Sequence, residues 1–131
     1  MTLDVALVSP ERILYTGEAD MVVCRTPEGE IAFLTDHAPF IGTLVIAPVR
    51  VILADGTEVK AAVHGGFVEV RDNKVSVLSD VAELPDQIDT TRAQRALTEA
   101  QRRCAETPDE ECQQAVRRAE VRLDVAGSAP K

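Results

Sequence analysis

The sequence predicts an α+β protein: an N-terminal β-sandwich, or flattened antiparallel barrel, followed by a C-terminal antiparallel two-helix hairpin. Two observations predict it. Val, Ile and Thr dominate before Pro85, whereas Ala, Gln, Glu and Arg dominate after it. The first set suits a pleated strand and the second suits a helix. Turn signals also recur about every 8–12 residues in the first part, with no helical period between them. The predicted units are residues 1–84 and residues 88–131. Charge divides the same way: residues 1–85 hold six basic and thirteen acidic side chains, and residues 86–131 hold eight and nine.

In the first part, Leu3, Val5 and Leu7 keep the period of two that a half-buried strand requires. Ser9-Pro10-Glu11-Arg12 is a turn, and a second strand over residues 13–15 ends at Gly17. Residues 19–26 form a third strand, closed by Pro27-Glu28-Gly29, and residues 31–34 form a fourth. A polar break at 35–39 follows. Residues 40–44 and 45–53 come next, with Ala47-Pro48 as a bend because proline cannot donate to a ladder. Asp55-Gly56 and Asp72-Asn73 are tight turns between residues 58–64, 67–71 and 74–79.

In the second part, Asp89 is placed to cap a first helix whose apolar face carries Ala93, Ala96, Leu97, Ala100 and Cys104. Thr107, Pro108 and Glu110 read as cap, first helical residue and capping-box acid of a second helix. Its stripe is Cys112, Val116, Ala119 and Leu123, and Gly127 with Pro130 ends it. Small, Ala-rich stripes bury little area, so the hairpin is expected to dock weakly and to be able to detach.

Composition narrows the function. The chain of 131 residues is 45% hydrophobic and carries a formal charge of −8, which repels phosphate backbones and disfavours a general nucleic-acid binder. No apolar run approaches the ~20 residues of a membrane span. The first residues lack a basic patch and apolar stretch, so the expectation is a soluble, intracellular protein. Aromatics make up 3%, predicting an aliphatic core.

Cys24, Cys104 and Cys112 form an odd set with no close pair, which argues against a disulfide scaffold. Cys104 and Cys112 are read as buried or half-buried thiols, with a disulfide across the hairpin as the alternative. Two histidines and no clustered ligands leave no catalytic set and no metal site. Gly65-Gly66 lies between strands, not before a helix, so it reads as a bulge or bend and not as a phosphate loop. His64 reads as a half-buried strand residue.

Four stretches in order resemble the epsilon subunit of bacterial F-type ATP synthases. They are Ile13-Leu14-Tyr15-Thr16-Gly17-Glu18-Ala19; Glu28-Gly29-Glu30-Ile31 with His37-Ala38-Pro39; Val63-His64-Gly65-Gly66-Phe67-Val68-Glu69-Val70 with Asn73-Lys74-Val75-Ser76-Val77-Leu78; and Ile88-Asp89-Thr90-Thr91-Arg92-Ala93. The chain departs from the family pattern at Thr35-Asp36 and at Ala47-Pro48, both loop or bend positions.

The resemblance implies a non-catalytic rotor subunit of the central stalk, peripheral on the cytoplasmic face of the bacterial plasma membrane. Its implied partners are the γ subunit, the c-ring of the proton-driven motor and the catalytic α/β head. Glu30 and His37 are the residues it places against the c-ring. Arg102, Arg103, Arg117, Arg118 and Arg122 are those that would meet the β subunit when an extended hairpin blocks ATP hydrolysis, and guanidinium forks suit carboxylates. The plainer alternative is a solvated face with pairs such as Arg95–Glu99 or Glu99–Arg103. Glu83, Ile88, Asp89, Arg92, Ala93 and Arg122 match a segment that some members use to bind regulatory ATP. Glu99 and Ala126 stand where such members place further arginines. The simpler reading has Asp89 as a helix cap and Arg92 paired with a nearby acid. A small ATP-sensing module is the alternative function.

Overall fold

The computed structural model describes residues 2–127. Its strands are β1 (Leu3–Val8), β2 (Ile13–Ala19), β3 (Met21–Thr26), β4 (Gly29–Leu34), β5 (Phe40–Ile52), β6 (Glu58–Arg71), β7 (Lys74–Leu78) and β8 (Ala82–Glu83). One turn of 3-10 helix at Pro85–Gln87 leads into α1 (Thr90–Glu106) and α2 (Glu110–Gly127). Strands in the order β2-β1-β7-β6-β5-β3-β4 form one sheet, with β8 added beside β6. The sheet folds over a single core to which β1 through β7 all contribute, including Leu3, Leu7, Val22, Phe33, Val51, Val63, Val70 and Val77. Phe33 is its only aromatic member that is fully buried among the described residues, so the core is aliphatic as composition predicts.

Two details of the sheet differ from the expectation. Neighbouring strands pair antiparallel except β1 and β7, which run parallel from Asp4↔Lys74 to Val8↔Leu78. A chain that returns to its first strand through intervening hairpins can meet it in either sense, and turn signals do not say which. Second, β5 and β6 are each one long strand, not two. Ala47-Pro48 does not break β5, because Pro48 stays in register opposite Ala62, and the ladder to β3 ends at Val23↔Arg50 short of the proline.

The bend lies instead at Gly65-Gly66. Up to Leu44↔Gly66, the core-facing pairs of the β5–β6 ribbon are even-numbered, such as Phe40↔Val70 and Gly42↔Val68; beyond it they are odd-numbered, Ala47↔Val63, Val49↔Ala61 and Val51↔Val59. The ribbon therefore changes the face it turns to the core without slipping register. Gly65 and Gly66 make this possible with φ of 89° and 119°, values an L side chain rarely adopts. At Gly66 a Cβ would lie 2.1 Å from the Leu78 carbonyl oxygen, so no other residue fits without moving β7.

Local chemistry accounts for the helix starts. The Asp89 side chain accepts from the Arg92 amide at 3.0 Å, the cap expected for α1. For α2 the cap is Asp109, whose Oδ1 accepts from the Cys112 amide at 2.8 Å while its carbonyl accepts from Gln113. Thr107 was expected in that role. Asp109 displaces it because Thr107 is still tied to α1 as its C-cap, donating its amide to the Arg103 carbonyl. The helix runs through Gly127 as expected, and Pro130 lies outside the described residues.

The reading of Cys104 and Cys112 as thiols is corrected: they are joined in a disulfide. The turn at 107–109 lays the helices antiparallel and brings the two Cα atoms to 5.6 Å, an ordinary disulfide spacing. Cys24 is a buried free thiol.

Candidate functional site

The outer face of the second half of the β5–β6 ribbon carries the even-numbered side chains, and α2 lies on it. Val121 and Val125, one turn apart, pack with Ala62 of β6, Ile46 of β5 and Ile88 of the linker. This cluster is separate from the sandwich core. Each buried valine contributes about 1.5–3 kcal/mol, so the apolar hold on the hairpin is only a few kcal/mol. The stripe read from sequence, Cys112 and Ala119 with Val116 and Leu123, is the second face of α2. With Ala93 and Ala100 it forms the seam to α1. The Val121–Val125 spacing was visible in the sequence, but nothing there said which of two apolar stripes meets the sheet.

Polar contacts border this patch. Glu83 on β8 is placed by the pairing Ala62↔Glu83. Its Oε1 accepts from Arg122 Nε of α2 at 2.7 Å and lies 3.1 Å from His64 Nε2 of β6. Arg117 Nε donates to the Ile46 carbonyl at 3.1 Å, and Lys60 approaches Asp124 at 3.9 Å. The His64 side chain is 3% exposed. A carboxylate only accepts, so Nε2 carries the imidazole proton and Nδ1 is left as a buried lone pair without a hydrogen-bond partner. Burial holds the His64 pKa below its ordinary value. The Glu83 contact opposes this, and the charges of Arg122 and Arg118 reinforce it.

Of the residues singled out for nucleotide, Glu83, Asp89, Arg92, Ala93 and Arg122 line one cavity of about 310 Å³, with Gln87 and Ala96. Ile88 does not line it; it is held in the docking cluster. The Arg92 side chain has no ion pair among the described residues, so the pairing expected for it is not observed, whereas the Asp89 cap is.

Glu30 and His37 are not brought together. Glu30 is an exposed residue near the start of β4, opposite Arg25, and His37 lies beyond the other end of that strand. The His37 ring packs edge-on against Phe33 at 5.0 Å, and its Nδ1 lies 2.7 Å from the Ala38 carbonyl oxygen. Its loop is tied to the β6–β7 turn by the Asp36 amide donating to Asn73 Oδ1 at 2.6 Å.

The arginines are mostly engaged. Arg102 pairs with Glu99 and Glu106 along α1, Arg118 with Glu111, and Arg122 with Glu83. The helix pairs expected, Arg95–Glu99 and Glu99–Arg103, give way to Glu99–Arg102. A spacing of three satisfies the bidentate fork as well as a spacing of four does. Among the described residues no group of three or more His, Cys, Asp or Glu is placed to hold a metal. No described helix is long and apolar enough to cross a membrane.

Residues 2–85 match the family described as ATP synthase, Delta/Epsilon chain, beta-sandwich domain. The ATP synthase epsilon chain of Streptomyces coelicolor is 46% identical over 124 residues, spanning 95% of this chain and 94% of that one. That of Shouchella clausii is 40% identical, spanning 95% of each. The chain belongs to the epsilon chains of ATP synthase. It is a stalk component of that complex and not one of its catalytic chains. The fold also matches a chain of the Euglena gracilis mitochondrial ATP synthase at a TM-score of 0.72 and 23% identity, covering 96% of this chain and 78% of that one.

The site's titration has a definite sign. The unfolded chain protonates His64 near 6.5, whereas the folded chain resists until a lower pH, so below about 6.5 the unfolded state binds more protons. The stabilising advantage of wild type over His64→Asn should therefore be full above that value and shrink as pH falls below it. Urea denaturation across a pH series checks this, and a difference that stays constant would contradict it.

Proposed function

We propose that this chain couples rotation to ATP synthesis in a proton-translocating F-type ATP synthase. Its sandwich grips the γ subunit and meets the c-ring, and its hairpin restrains ATP hydrolysis at the α/β head. The proposed location is the cytoplasmic face of a bacterial plasma membrane, held there through the complex. One observation carries the reading. Across the outer face of the first half of the folded sheet, Ile13, Val8, Leu78 and Phe67 are directly paired neighbours on β2, β1, β7 and β6. Ile13 is 65% exposed, Phe67 54% and Leu78 48%, and Ile41 extends the face from β5 at 71%. Such a row of adjacent large apolar side chains suits a protein contact, and the γ shaft is the occupant we assign to it.

The rest of the reading follows from the division of the ribbon. One outer face is committed to the shaft, and the other holds the hairpin through a few kcal/mol of apolar contact and the Glu83–Arg122 pair. Two postures separated by so little can be exchanged by a partner or ligand. On release, Arg117 and Arg122 lose their contacts with the sandwich and, with Arg102, Arg103 and Arg118, become available to acidic segments of the β subunit. Glu30, near the start of β4, and His37, in the loop beyond its end, are the proposed c-ring contacts.

A second reading is favoured by the cavity between linker, β8 and the helices. There, Arg92 and Arg122 would meet the phosphates of a regulatory ATP, and Glu83 or Asp89 its amine or hydroxyls. In this structure Glu83 already occupies Arg122, so a nucleotide has to compete with the clamp.

Three measurements test these assignments. Phe67→Glu should weaken capture by the γ subunit roughly tenfold or more, with little change in the chain's own unfolding midpoint; undiminished capture would remove the shaft assignment. Reassembly with a chain cut after Pro85 should raise ATP hydrolysis, and an unchanged rate would end the inhibitory reading. Calorimetric titration with ATP should show affinity of about micromolar order that Arg92→Ala abolishes, whereas no heat leaves Asp89 as a cap alone.

A further inference from the structure

We propose that Cys104 and Cys112 form a thiol–disulfide exchange site whose oxidised form locks the hairpin tip and whose reduction by a dithiol frees α1 from α2. The observations are positional. Cys104 sits near the end of α1 and Cys112 in the first turn of α2, with the turn at 107–109 between them. The first helix rests principally on the second, which alone has extensive contact with β5 and β6. What holds α1 is thus its seam with α2, where buried Ala93, Ala100 and Ala119 meet half-buried Val116 and Leu123, and the covalent link. Running α1 and α2 on as one straight helix would place the two Cα atoms ~12 Å apart, beyond the ~7 Å a disulfide can span. The oxidised chain is confined to the bent tip, and the reduced chain is not.

The surroundings fit exchange. Cys112 is 1% exposed and closed to an incoming thiolate, whereas Cys104 is half-buried and reachable. Attack at Cys104 Sγ forms a mixed disulfide and expels Cys112 as a thiolate, which takes up a proton. The second thiol of the reductant then attacks the mixed disulfide, releasing Cys104 as a thiol and leaving the reductant as a disulfide. Two electrons and two protons pass to the protein. The Asp109 amide lies 3.4 Å from Cys112 Sγ, and the Asp109 carbonyl oxygen, at 3.2 Å, is placed to accept from the thiol once the departing sulfur has taken up its proton. Cys24, sealed in the sandwich core, takes no part.

The latch is a property of the chain alone, and only its effect on ATP hydrolysis rests on the reading above. The full-length chain, air-oxidised, should leave a single cysteine, Cys24, to be alkylated in denaturant, and all three after dithiothreitol. Amide hydrogen exchange across α1 should rise roughly tenfold or more on adding dithiothreitol, with the strands unchanged. A chain carrying both Cys104→Ser and Cys112→Ser should exchange at the fast rate with or without reductant. Three reactive cysteines in the oxidised chain, unaltered α1 exchange, or an equal response in the double variant would each overturn the proposal. If α1 responds to reductant while hairpin removal leaves ATP hydrolysis unchanged, the latch stands and the inhibitory role falls.

Discussion

The whole structure depends on one backbone constraint: the β5–β6 ribbon must reverse the face it shows to the core at Gly65-Gly66 without changing its pairing. The left-handed φ values there, and the Leu78 carbonyl that would collide with any Cβ on Gly66, leave glycine as the residue that fits. The reversal lets a single sheet enclose one core. It also gives the ribbon two outer faces, each apolar in a different way and each available to a different neighbour.

On the first half, the outer face is a row of exposed aliphatic and aromatic side chains that no other part of the described chain covers. On the second, Ile46 and Ala62 are covered by Val121 and Val125 of α2. Just past the bend, His64 is turned out of the main core and into the junction with β8. There, Glu83 joins it to Arg122. The exposed apolar row and the patch covered by α2 thus lie on two halves of the same folded ribbon.

The hairpin's attachment is graded. A small aliphatic cluster, the Glu83 carboxylate shared with Arg122, and the Arg117–Ile46 and Lys60–Asp124 contacts hold α2 to the sheet, and a seam of small and half-buried side chains with a disulfide holds α1 to α2. The cluster between α2 and the sheet is much smaller than the sandwich core. The disulfide lies at the hairpin tip, where the turn at 107–109 brings the end of α1 beside the start of α2. The cavity lined by Arg92, Arg122 and Glu83 opens at the same junction, with the Glu83–Arg122 pair in its wall.

By itself the sequence determined the class of the fold, most strand positions, the two helices and the Asp89 cap, because alternation, turn residues and helix-start chemistry are local. It also carried the family likeness, since motif order along the chain needs no coordinates. What only the tertiary structure decided was non-local. The parallel β1–β7 pair, the face reversal at Gly65-Gly66, the choice of Val121 and Val125 as the docking stripe, the Glu83 bridge and the Cys104–Cys112 bond join residues whose partners lie elsewhere in the chain. Period and spacing report which side chains share a face; they do not report what that face meets. Cys104 and Cys112 show the limit: eight residues apart, they are bonded only because the turn at 107–109 folds one helix back along the other.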